Sequence, residues 1–140
     1  MALVIDASVA IGWLIASQAD AVSDAALDEV VRSYGSVPAS FAFEIGRVLR
    51  RRERFHGLGP QEFDEMVADL RALRLVVDQA NPMDRLSAVA ALTRRYVISF
   101  ADAAYLELAG RMDLPLATRD QGLARAAEVA NIRLFTPPAV

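Results

Sequence analysis

The sequence predicts an α/β domain built on a parallel sheet covered by helices on both faces. Short apolar segments of strand length alternate with longer stretches of helical period, which is the signature of βαβ connection. At 140 residues, 54% hydrophobic and 24% charged, the composition is that of one globular domain, residues 1–140. No repeat, linker or low-complexity tract interrupts it.

The elements follow in order. Residues 2–5 (ALVI) are apolar and too short for a helix, so they read as a buried strand. Around 20–33, Val22, Ala26 and Val30 recur every four residues and predict a helix. YGSVP (34–38) is strand-like. From Ser40, the apolar positions Phe41, Ile45, Val48 and Leu49 predict a helix ending near HGLG. Arg52 falls within that apolar stripe, which either shortens the helix or requires the side chain to snorkel. Pro60 suits the first position of the next helix, with Phe63, Met66, Val67 and Leu70 on one face. LRLVV (73–77) reads as a strand. Asn81-Pro82 reads as an N-cap and first helical residue, and Ser99 opens a further helix to about Met112. LPLAT (114–118) is a strand entering a helix through Leu123, Ala126, Ala127 and Ala130 that Asn131 terminates. IRLF (132–135) is expected as the last strand.

Composition removes several chemistries. There is no cysteine and His56 is the only histidine, so disulfides, thiolate catalysis and a Cys/His zinc site are excluded. The longest uncharged stretch, Ala7 to Ala19, has 13 residues, too few to span a bilayer. The first basic residue is Arg32, so a basic signal-peptide n-region is missing and a cytoplasmic protein is expected, with no membrane partner. A net charge of −3 argues against a general nucleic-acid coat. Locally the balance differs: residues 1–31 carry five acids and no base, whereas 41–60 carry five arginines and two glutamates. All 15 basic residues are arginine.

In a parallel sheet, ligands gather beyond the carboxyl ends of the strands. Asp6 follows the first strand and Asp120 follows LPLAT, while Glu44 and Asp102 lie on apolar helices. Each has an ordinary reading. Asp6 suits an N-cap. Asp102 stands three residues after Ser99, a capping-box spacing. Asp120 suits a first helical turn, and Glu44 has Arg47 and Arg51 at helical spacing for an ion pair. Taken together, four converging carboxylates would raise one another's pKa unless a cation compensates. Mg²⁺, or Mn²⁺ in its place, takes carboxylate oxygens and water and needs neither Cys nor His.

The motifs IDASVAIGWL, VPASFAFEIGRVLRR, SFADAAYLELA and LATRDQGLARAA, in that order and spacing, resemble those of the PIN domains. They are most similar to the VapC toxins of bacterial toxin–antitoxin pairs. The resemblance spans the chain and implies a small three-layer α/β/α sandwich around a short parallel sheet. It implies a Mg²⁺-dependent endoribonuclease, with Asp6, Asp102 and Asp120 as core metal ligands. Glu44 would hold a metal-bound water or a second ion. It also implies a homodimer and a cognate antitoxin that blocks the acidic groove.

Ser8 and Thr118 are placed to orient these carboxylates or bind a phosphate, or else to cap helices. Arg47 and Arg51, at +3 and +7 from Glu44, would contact RNA phosphates, or else form a solvated basic face. Trp13 reads as packing, and His56 receives no catalytic role. Within the nuclease reading, the alternative is a housekeeping RNA-processing PIN enzyme. A PIN fold that only binds a partner typically lacks one or more of the acids, and all four are present. A haloacid-dehalogenase phosphatase needs a second Asp where Ser8 stands. A response-regulator receiver needs a lysine, and a P-loop needs G-x-x-x-x-G-K-[ST]; the chain has neither.

Overall fold

A computed structural model describes residues 1–139. Its four strands are β1 (Leu3–Ile5), β2 (Gly35–Val37), β3 (Leu75–Val77) and β4 (Leu116–Ala117). They form one all-parallel sheet in the order β3-β2-β1-β4. Between them lie α1 (Ala7–Leu14), α2 (Ala21–Arg32), α3 (Phe41–Phe55), α4 (Pro60–Ala72), α5 (Pro82–Tyr96) and α6 (Phe100–Met112), with α7 (Gln121–Val129) after β4. A single 3₁₀ turn at Ala16–Gln18 links α1 to α2.

From β1 through β2 to β3 the chain steps one way along the sheet, then returns across it to β4. Right-handed crossovers place α1–α4 on one face and α5–α6 on the other. The contacts agree: α1 meets α2 and α3, α3 meets α4, and α6 meets α5 and α7. The three layers of the expected sandwich are present. The reversal of direction falls between β1 and β4, and beyond the carboxyl ends of those two strands lies the crevice where such sheets bind ligands.

β1 is the centre of the core. Leu3, Val4 and Ile5 are fully buried, as are Leu116 and Ala117 beside them. Strands flanked by pairing and covered on both faces must be apolar throughout, so LVI shows no alternation. β3 lies at an edge, which leaves Val76 and Val77 exposed. The close approach of α1 to α2 depends on Gly12, where an added Cβ would stand 2.3 Å from Ser23 Oγ. Trp13 bridges the same helices, its indole N–H donating to the Ser23 carbonyl at 2.7 Å.

Local signals set the helix ends. Asn81 Oδ1 accepts the Met83 N–H and Pro82 begins α5. Glu62 Oε1 accepts the Gly59 N–H ahead of Pro60 in α4. After α7, Asn131 adopts a left-handed φ of 59°, the Asn131 N–H reaches Glu128 and the Ile132 N–H reaches Ala127. These are the two bonds of a Schellman C-terminus. α3 runs uninterrupted to Phe55, so Arg52 does not shorten it; the side chain stays half-buried. His56 is exposed just past its end.

The IRLF segment differs from expectation. It makes one parallel bridge, Leu116 to Leu134, rather than a strand. Only Leu116 is framed, its N–H donating to Arg133 and its carbonyl accepting from Phe135. Pro115 on one side and Pro137-Pro138 on the other lack the N–H groups that would extend the ladder. Among the described residues no helix is long and apolar enough to cross a membrane.

Candidate functional site

β1 ends at Ile5 and delivers Asp6 into the crevice beside β4. Its carboxylate is buried, at 4% exposure. It does not cap α1, for which no side-chain bond forms. Instead Oδ2 accepts two hydroxyls, Ser8 Oγ at 2.7 Å and Thr118 Oγ1 at 2.7 Å. Each hydroxyl is itself oriented from behind. The Arg119 N–H donates to Ser8 Oγ at 3.1 Å and the Asp120 N–H donates to Thr118 Oγ1 at 3.0 Å. A hydroxyl that accepts from an amide turns its proton elsewhere, here onto Asp6. Ser8 and Thr118 therefore orient the carboxylate and cap no helix.

Asp120 is the N-cap of α7, with Oδ1 accepting the Leu123 N–H at 2.9 Å. It is solvent-exposed and close enough to Asp6 and Asp102 to raise both by like-charge repulsion. Asp102 lies in the first turn of α6 and its N–H donates to Ser99 Oγ at 3.1 Å. Among the described residues no bond returns from the Ser99 N–H to its carboxylate. The capping box is half formed, and the Asp102 carboxylate is left to the crevice.

Glu44 stands in the first turn of α3. Neither Arg47 nor Arg51 pairs with it. Its Oε1 accepts the Tyr105 hydroxyl at 3.1 Å, with Ser40 Oγ at 3.5 Å. Tyr105 is fully buried and stands one helical turn after Asp102. Sequence reasoning missed it, since a Tyr in an apolar helix reads as core. The spacing from Asp102 that puts both on one face of α6 was the available signal.

The electrostatics tie the four acids together. Burial pushes the Asp6 carboxyl above the ordinary aspartate value, the Ser8 and Thr118 hydroxyls oppose this, and Asp120 adds to it. Burial likewise raises Glu44, the Tyr105 hydroxyl opposes it, and Asp6 and Asp102 push it further up. Asp102 is raised by burial, then by Asp120 and Asp6. Among the described residues none of the four forms an ion pair; the chain's salt bridges involve other acids.

Among the described residues no arginine of the chain neutralises this set. Its donors are all oxygen, which suits a hard divalent ion. Among the described residues, no three acidic or histidine side chains are grouped closely enough to hold an ion between them. Mg²⁺ needs no closed cage, because it keeps several waters and takes only one or two carboxylates. The residues fit that mode better than an all-protein calcium site.

A cavity of about 430 Å³ opens beside Glu44, between the start of α3 and helices α5 and α6. Arg47 lines it together with Glu44, and Phe43 and Phe100 flank it with exposed rings. Arg51, one turn beyond Arg47, is exposed and outside the cavity. The remaining charges of the lining, Asp78, Arg85, Glu107 and Arg111, pair among themselves.

The sequence matches the family model of the PIN domain over residues 3–129. The chain belongs to the PIN-domain family. PIN domains are generally nucleases and typically use divalent metal ions. Among solved structures, PAE2754 from Pyrobaculum aerophilum is similar in fold. The TM-score is 0.65 at 17% identity, covering 90% of this chain and 84% of that one. No curated protein matches the chain. This PIN domain thus carries its family's α/β fold, and the four acids lie where such a fold collects ligands.

Proposed function

We propose that this PIN domain is a Mg²⁺-dependent endoribonuclease and the toxin of a VapBC-type pair. In this reading it acts as a cytoplasmic homodimer held inactive by a cognate antitoxin. The observation that carries the nuclease reading is the absence of any ion-pair partner, among the described residues, for Asp6, Glu44, Asp102 and Asp120, three of them with raised proton affinity. Like charges held close together and partly out of water, without a protein cation, are costly unless something else neutralises them. Asp6, Asp102 and Asp120 would hold the ion, one or two of them directly and the rest through its waters, and Glu44 would hold a water at its edge. When bound, a divalent ion supplies a water nucleophile at neutral pH and charge stabilisation at the scissile phosphate.

The chain's own residues do the positioning. Ser8 and Thr118 hold Asp6 by Oδ2, leaving Oδ1 for the ion. Tyr105 and Ser40 hold Glu44 by Oε1, leaving Oε2 to orient a water for in-line attack. Arg47 offers a phosphate contact on the cavity side of Glu44. The acidic site also suits an arginine or lysine from an antitoxin, and the closeness of the four motifs to those of the VapC toxins is what favours the toxin reading over a housekeeping RNA-processing role.

Two experiments test this reading. Purified protein should cut RNA with Mg²⁺ or Mn²⁺ and stop in EDTA. Expression in a bacterial host should arrest growth, and co-expression of the reading frame adjoining its gene should relieve the arrest. Cleavage without toxicity would favour the RNA-processing alternative.

A further inference from the structure

We propose that the ion pair between Asp20 and Arg119 keeps the chain's own arginine out of the carboxylate site, making both positioning residues for that site. The inference rests on the metal-site reading above. Arg119 lies between Thr118 and Asp120, and its N–H bonds the same Ser8 hydroxyl that donates to Asp6. The base of the side chain is therefore one hydroxyl away from the most buried acid of the set. A guanidinium is permanently charged and matches carboxylates in geometry. It is therefore a candidate to fill the place of a metal ion.

It is turned away. Nε donates to Asp20 Oδ2 at 3.0 Å and Nη1 donates to the Ser8 carbonyl at 3.1 Å. Arg119 thus holds Ser8 at both its hydroxyl and its carbonyl, while Asp20 holds Arg119. Stability does not account for the charge on Asp20. The pair is partly exposed, at 21% and 41% of the two side chains, where ion pairs contribute little. The capping of α2 uses the other oxygen, Oδ1, which accepts the Ser23 N–H at 2.8 Å. Asparagine caps as well as aspartate does. Removing only the charge therefore leaves the helix start intact and frees the guanidinium to turn toward Asp6 and Asp120.

The test is Mn²⁺ titration of metal-free protein without RNA, followed calorimetrically, with thermal melts to confirm folding. Asp20→Asn should bind Mn²⁺ roughly five- to ten-fold more weakly than wild type, as expected for a unit charge moved several ångströms closer to the ion. In an Arg119→Gln background the same Asp20→Asn change should have no effect, because Asp20 acts only through Arg119. Equal affinity of Asp20→Asn and wild type overturns the proposal. So does equal weakening in both backgrounds, which is the behaviour of a simple long-range field. Wild-type protein that binds no Mn²⁺, or binds it as well after Asp6→Asn, overturns the metal-site reading and this proposal with it.

Discussion

Tyr105 donates its hydroxyl to Glu44 Oε1 at 3.1 Å, joining α6 to α3 across 61 residues of sequence. The phenol is buried, and both burial and the neighbouring carboxylates keep it protonated far above physiological pH. It is a fixed donor, and it selects the orientation of Glu44. Tyr105→Phe keeps the ring and loses the bond, so the fold should lose only about 1 kcal/mol. RNA cleavage should fall by a larger factor than that stability change explains. Paired melting curves and cleavage rates at saturating Mg²⁺ check this. Wild-type turnover in the variant would make Tyr105 a packing residue alone.

The raised acids set a pH dependence whose sign is opposite to that of ordinary paired carboxylates. Asp6, Glu44 and Asp102 bind protons more tightly folded than unfolded. Their contribution therefore favours the fold at low pH and is lost as pH rises from the ordinary carboxylate range through the raised values. Asp20 and Asp78 run the other way. Bonds from Ser23 and the charge of Arg119 lower Asp20 against its burial, and Arg111 lowers Asp78, so both lose their contribution as pH falls. Subtraction isolates the site. In EDTA, Asp102→Asn should melt at or above the wild-type temperature, with a gap that widens as pH rises. If Asp102 served only as a cap residue, the variant would melt lower at every pH.

The two arginines offered by the sequence are not equivalent. Arg47 lines the cavity with Glu44, while Arg51 faces solvent a turn away. Arg47→Ala should reduce the slope of log K against log salt for single-stranded RNA by about 0.7, the value for one lost phosphate contact. Arg51→Ala should leave the slope unchanged. Binding is measured in Ca²⁺, where cleavage is expected to be slow. Equal slopes for wild type and Arg47→Ala would place the RNA path elsewhere.

Gly12 tests the packing behind the site. Any side chain there meets Ser23 Oγ at 2.3 Å and Ser23 Cβ at 2.8 Å. Gly12→Ala must separate α1 from α2 and should cost roughly 1–3 kcal/mol by overpacking. Urea unfolding measures this directly. An unchanged midpoint would mean that the two helices leave room for a methyl group.

Much of this was legible because the informative signals are local. Asn81-Pro82, Ser99 and Asp120 mark helix starts with bonds to residues two or three positions away. Asp6 is legible as a strand-end acid from LVI alone. What sequence reasoning could not supply are contacts made across the fold. Pairing of IRLF depends on donors that flanking prolines remove, and only one bridge survives. The partner of Glu44 is Tyr105 on another helix, 61 residues away, rather than Arg47 one turn along its own. The turn of Arg119 toward Asp20 spans 99 residues, so no spacing rule reveals it.

Whether the four acids act as one cation site that cuts RNA is read from labelled RNA incubated with the purified protein. Wild type should cleave in Mg²⁺ and be silent in EDTA. Asp6→Asn should fold, since an amide oxygen can still accept the Ser8 and Thr118 hydroxyls, and should be silent in both. Cleavage by Asp6→Asn at the wild-type rate, or cleavage that persists in EDTA, would mean that these acids are not a cation site that cuts RNA.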